Sequence, residues 1–150
     1  MKLDCGSDAA EMVTELAKLA DLIGEDRGPD ATTLFIRLDR TDRPGTCQLA
    51  VHEVDAHPTE ALRGFAVPAE TECLGVVAHG WAAPMPDPGG SAIPPTRPSR
   101  HPDRVRVRVT TVVARSGEVA GIVRGSDGMT ITEPPAEGEV LDALRRAFTS

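Results

Sequence analysis

"RVRVRVTTVVARSG", residues 104–117, stands in a chain whose formal net charge is −7. Side chains along a β-strand alternate between two faces. Val105, Val107, Val109 and Val113 therefore share one face, and Arg104, Arg106 and Arg108 the other. This spacing predicts a half-buried strand, valines on a core and guanidinium groups in water. Such a strand at a sheet edge would also resist unwanted pairing with other chains. Ser116-Gly117 predicts a turn, and "EVAGIVR" (118–124) a returning strand. "GSDG" (125–128) predicts a tight turn into "MTIT" (129–132), so this part of the chain reads as an antiparallel meander.

Upstream, "SDAAEMVTELAKLADLIG" predicts a helix, with Asp8 as its cap and Glu11 three residues on. Ala9, Met12, Val13, Leu16, Leu19, Ala20 and Ile23 recur at helical spacing, and Gly24 reads as the stop. "TTLFIRL" (32–38) and "CQLAVHEV" (47–54) predict two strands joined by a charged loop with Pro44-Gly45. "HPTEALRG" predicts one or two helical turns, with Pro58 at the first position and Gly64 as the stop. "ECLGVVAHGWA" (72–82) is apolar on both faces, as a central strand would be. Residues 83–103 hold seven of the thirteen prolines and predict a loop without helix or central strand. "EPPAEGEVLDALRRAF" supplies a last helix with Val140, Leu141, Leu144 and Phe148 as its apolar stripe.

The expected fold class is α+β. A single, mostly antiparallel sheet of five to six strands carries N- and C-terminal helices, in the order α-β-β-α-β-(loop)-β-β-β-α. The helices at the two chain ends are expected to cover one face of the sheet. In element order this is similar to the roadblock and profilin-like class of small sheet-and-helix modules; no motif accompanies the likeness, and it names no family. The 150 residues are expected to form a single domain, residues 1–150, with the Pro-rich loop at 83–103.

Composition narrows the functional classes. Apolar residues make up 40% and charged residues 26%, a globular balance. With Phe35, Phe65, Trp81 and Phe148 as the only aromatics, the core must be Val, Leu, Ile and Ala. Fourteen Arg against two Lys points to a GC-rich bacterial genome. Cys5, Cys47 and Cys73 lack framework spacing, which argues against a disulfide scaffold and for a reducing compartment. No secretory signal and no 18-residue apolar run is present, so the expected location is cytoplasmic, with no membrane partner.

Charge is unevenly distributed. Residues 1–96 carry −9, residues 97–115 carry +5 and residues 116–150 carry −3. The basic segment, with Arg100, Arg104, Arg106 and Arg108, is suited to an acidic partner surface. Nucleic acid is disfavoured by the pI near 5 and by the absence of aromatic platforms on this strand. A protein partner is expected, and a homodimer with basic strand on acidic helix satisfies the same charge pattern.

Catalytic signatures largely fail. "HEVDAH" (52–57) places His52 and His57 five residues apart, about 140° off one helical face, so it is not the two-histidine zinc motif. Cys73 and His79 share a strand face but would lie about 20 Å apart, too far for one zinc ion. Gly-rich phosphate loops and a G-x-S-x-G elbow are absent. No cofactor and no metal site is expected. Three readings follow in order: a non-catalytic interaction or regulatory module using the Arg strand; a small hydrolase or metal-dependent enzyme using Cys73, His79, His52 and Asp55; and a small-ligand sensor with residues 83–103 as a lid.

Overall fold

The alternation of residues 33–40 decides how the layers are arranged. Leu34, Ile36 and Leu38 of β2 (Thr33–Arg40) pack under helix α1 (Ala9–Arg27). Phe35, between them, packs under α2 (Pro58–Leu62) and α3 (Glu139–Thr149) on the other side. A strand apolar on both faces needs cover on both. The computed structural model describes residues 2–4, 8–28, 33–82, 100, 102–133 and 138–149.

The six expected strands are present in one antiparallel sheet. Besides β2 they are β3 (Thr46–Val54), β4 (Thr71–Ala82), β5 (Val105–Ala114), β6 (Val119–Gly125) and β7 (Thr130–Ile131). A three-residue strand, β1 (Lys2–Asp4), pairs with β3 and adds a seventh. The strand order is β1-β3-β2-β4-β5-β6-β7, so β4 is central, as its two apolar faces require.

The expectation that both terminal helices cover one face is corrected. Helix α1 packs on the face bearing Ile36, Val77, Val112 and Ile122. Helix α3 packs its buried Leu141 and Leu144 on the opposite face, against Leu74, Val76 and Val113. The physical cause is parity: Leu74, Val76 and Val113 sit between residues that face α1, and burying each is worth roughly 1.5–3 kcal/mol. The turns agree with the sequence. His57 caps α2, and Gly45, Gly64 and Gly117 take positive φ of 76°, 76° and 107° where the chain reverses.

Two further expectations change. Cys47 is disulfide-bonded, so the argument for a reducing compartment loses its premise. Cys5 and most of the 83–103 loop lie outside the described residues. Among the described residues, no helix is long and apolar enough to cross a membrane.

The second change concerns α1, which does not stop at Gly24. It runs on to Arg27 and ends at Gly28, whose φ of 84° suits glycine. Gly24 is buried inside the helix, where α1 lies close against the sheet. A Cβ there would lie 2.8 Å from both Arg108 Cδ and Val77 Cγ1. Glycine at this position makes room for an arginine beneath a helix.

We expect Gly24→Ala to destabilise the fold by about 1–3 kcal/mol through overpacking. The roughly 1 kcal/mol gain in helix propensity acts in the opposite direction. Urea unfolding monitored by circular dichroism measures the balance, and a more stable variant would contradict the close approach.

Candidate functional site

Arg106 and Arg108 of β5, and Arg104 just before it, have different fates. Arg108 turns under α1, where its Nε and Nη2 each lie 3.0 Å from Asp21 Oδ1. The Arg108 side chain is 15% exposed and the Asp21 side chain 1%. Arg124, the cross-strand neighbour of Arg108 on β6, donates from Nε to the other oxygen of Asp21 and from Nη1 to Thr130 Oγ1. One buried carboxylate thus holds two guanidinium groups. The hydrogen bond to Asp21 also raises the Arg124 pKa further. The reading of Arg108 as a solvent-facing charge is therefore corrected. A long side chain on the covered part of a strand face keeps little contact with water, so it needs a nearby counter-charge.

Arg104 and Arg106 lie beyond the reach of α1. Past Val77, β4 has no β2 partner, and past Val107, β5 has no β6 partner. Residues 81–82 and 105–106 then pair only with each other in the ladder and form a two-stranded tip, with Ser126 N–H donating to the Arg106 carbonyl at 2.9 Å beside it. Trp81 sits there directly opposite Arg106. The guanidinium carbons of Arg104 and Arg106 lie 4.8 and 5.2 Å from the Trp81 ring centroid. The ring is on a residue 39% exposed, Arg104 is exposed and Arg106 half-buried. Each such contact is worth about 0.5–1 kcal/mol at an exposed site, enough to bias rotamers without neutralising the charge.

The remaining basic residues divide similarly. Arg100 is exposed. Arg115 is structural: it donates from Nε to the Thr71 carbonyl and from Nη2 to the Pro68 carbonyl, both at 3.0 Å, and lies over the Phe148 ring. The basic segment of the sequence is thus partly consumed by the fold, and its surface expression narrows to the ribbon tip.

The Cys/His candidates do not converge. Cys73 is buried in the layer under α1. His52 is exposed and pairs in register with Phe35, which places it on the opposite face of the sheet. Asp55 is exposed just past the end of β3. His57 is committed to capping α2, with Nδ1 2.7 Å from Thr59 Oγ1. His79 is half-buried opposite Arg108. Among the described residues, no three His, Cys, Asp or Glu side chains gather as a metal ion would require. Burial, with smaller contributions from Glu72 and Glu118, pushes the Cys73 thiol up to about 12, far from a reactive thiolate.

Sequence reasoning missed Trp81, Asp21 and Arg124. Two signals were present. Asp21 follows Ala17 by four residues and precedes Gly24 by three, which puts a carboxylate on the buried stripe of α1. Trp81 shares strand parity with His79 and Cys73 and is the penultimate residue of the strand that precedes the loop. Its pairing with Arg106 needed the register across residues 83–104, which no local pattern states.

Asp21→Ala should cost about 3–5 kcal/mol, because it leaves Arg108 buried without its counter-charge. The double variant Asp21→Leu/Arg108→Met should recover most of that loss, since apolar replacement of a buried pair is often neutral. Thermal and urea unfolding of both variants test this. A near-neutral Asp21→Ala would contradict the network.

For Cys73 the folded pKa of about 12 exceeds the unfolded 9.0. Above pH 9 the unfolded chain sheds the proton first, so stability is full below that pH and falls on approach to 12. The loss is up to about 1.4 kcal/mol per pH unit. The native protein should leave Cys73 unmodified by a thiol reagent at pH 8, and Cys73→Ala should flatten the alkaline decline seen in urea titrations. Rapid modification of the folded protein would contradict this placement.

Compared with known protein families, curated proteins and solved structures, the chain matches none.

Proposed function

We propose that this chain is a non-catalytic interaction module that docks an acidic segment of a partner protein on Trp81, Arg104 and Arg106. The observation that carries this reading is the exposed Trp81 ring with two guanidinium groups within 4.8 and 5.2 Å of its centroid. Holding the arginines against a ring reduces the side-chain entropy lost on binding. Residues two apart on a strand are separated by roughly 7 Å, the spacing of alternate side chains on an extended acidic segment. Arginine adds a forked geometry that suits a carboxylate.

The surrounding charge favours the same class of partner. Arg106 makes no ion pair among the described residues. A second copy of this chain also presents acidic surface, through exposed Glu11, Glu25 and Asp26 of α1, so a homodimer is one form this docking can take. The alternative hydrolase or metal-dependent reading gains no support, because Cys73 is buried and His52 faces the other side of the sheet.

The test uses a fluorescent peptide alternating Glu and Thr, titrated at low and physiological salt. Arg104→Glu/Arg106→Glu should weaken binding at least tenfold, about 1.4 kcal/mol, while the melting temperature stays close to that of the parent. Binding should also fall with added salt, as exposed charges require. Arg108 must stay intact in this experiment, because reversing it would unfold the network around Asp21. Sedimentation of the same variant reports whether self-association uses the tip. Unchanged peptide affinity in the double variant would remove the proposal.

A further inference from the structure

β1 covers only the first part of β3, where it pairs with Thr46, Cys47 and Gln48. Residues 49–54 run on as strand, paired with β2 on the inner side and without a ladder partner on the outer side among the described residues. One hydrogen bond reveals which backbone groups point outward. Thr41 N–H donates to the Thr46 carbonyl at 3.0 Å, so Thr46 turns its backbone polar groups toward β2. The direction alternates along a strand, so Ala50, His52 and Val54 do the same, and Leu49, Val51 and Glu53 point theirs to the open edge.

Exposed edges are ordinarily blunted by Lys, Pro, a bulge or short length. Residues 49–54, "LAVHEV", contain neither Lys nor Pro and pair with β2 without a break in register. Leu49, Ala50, Val51 and Val54 are half-buried, and His52 and Glu53 are exposed. The long helices lie elsewhere: α1 over β4, β5 and β6, and α3 over β4 and β5. Arg27, at the end of α1, reaches Glu53 in an exposed ion pair.

The strand that fits this edge is β3 of a second copy, because β1 fixes a register that is self-complementary. In an antiparallel pair about a two-fold axis, outward-pointing residues must meet outward-pointing residues, so odd meets odd and even meets even. A two-fold at Val51 would bring the partner's Val54 opposite Gln48, the position that Lys2 of β1 already holds. A two-fold at His52 is the longest register that clears β1, since β3 ends at Val54. Val51 and the partner's Glu53 then exchange both backbone hydrogen bonds, and the symmetry repeats the exchange. Ala50 meets the partner's Val54, and no carboxylate faces its own copy.

We infer that residues 50–54 form a self-association edge, on which a second copy of this chain adds its own β3 antiparallel about a two-fold axis at His52. A contact this short lies at the low end of specific interfaces, so the association is reversible and concentration-dependent. The net charge of −7 on each copy opposes approach, less so at physiological salt. This edge is separate from docking at Trp81, because β2 lies between β3 and β4.

Sedimentation velocity of the whole chain at pH 8 and physiological salt, from micromolar to sub-millimolar protein, should show a monomer–dimer equilibrium. His52→Glu, at an exposed position, sets like charges face to face on the two-fold and should weaken dimerisation about tenfold or more. Val51→Pro removes an N–H that β2 does not use, so the dimer should be lost with the circular dichroism spectrum retained. In a Cys73→Ala background, His52→Cys should cross-link two copies under mild oxidation, because facing residues of this kind have Cα atoms about 4.5 Å apart. Ala50→Cys, which faces the partner's Val54, should not. The inference is overturned if the parent sediments as a monomer at every concentration, if either the His52→Glu or the Val51→Pro variant dimerises as the parent does, or if Ala50→Cys cross-links as readily as His52→Cys.

Discussion

A single carboxylate with almost no contact with water organises the α1 side of this molecule. Asp21 receives Arg108 from one strand and Arg124 from the next, so α1 is fastened to β5 and β6 at once. Removing charges from water costs several kcal/mol per ion, and only good geometry offsets that cost. The helix must therefore lie where both guanidinium groups can reach it. Gly24, one turn on, lets it lie that low, because a side chain there would strike Arg108 and Val77. A network of this kind contributes little net stability, but it disfavours other placements of the helix, which would strand the charges.

The same fastening decides which arginines lie under the helix and which at the ribbon tip. Arg108 is withdrawn under the helix, and Arg104 and Arg106 sit on the ribbon beyond its end, against Trp81. Position along the strand relative to the covering helix, and not residue type, separates structural cations from surface ones. The protein's acidic balance elsewhere sharpens this contrast, since the tip is a local positive region on a chain of net charge −7. The field of such a contrast is screened as ionic strength rises.

The two sides of the sheet divide the remaining work. The α3 side is an apolar layer with Phe35, Leu74, Leu141 and Leu144 at its centre. The α1 side holds the buried thiol of Cys73, the charged network and a groove along β6. Features with chemical character thus gather on one face and at one end of a sheet whose other face serves the core.

Much of the fold was legible without coordinates, because the signals were local. The period of two in residues 104–114, the helical spacing in residues 9–23 and the glycines at turns each report a backbone conformation that neighbours in sequence determine. Element order, the antiparallel sheet and the central place of β4 follow from these signals with short connections. What only the tertiary structure decided was which elements lie over which residues. Residue alternation establishes that Arg108 and Arg106 share a face, but the placement of α1 alone makes one a buried partner of Asp21 and the other a neighbour of Trp81. The Trp81–Arg106 pairing depends on register across a long connection, and the Asp21 network joins residues 87 and 103 positions apart. Local sequence carries no energy term that reaches that far. Burial of both sheet faces and the need to pair a buried charge supply it.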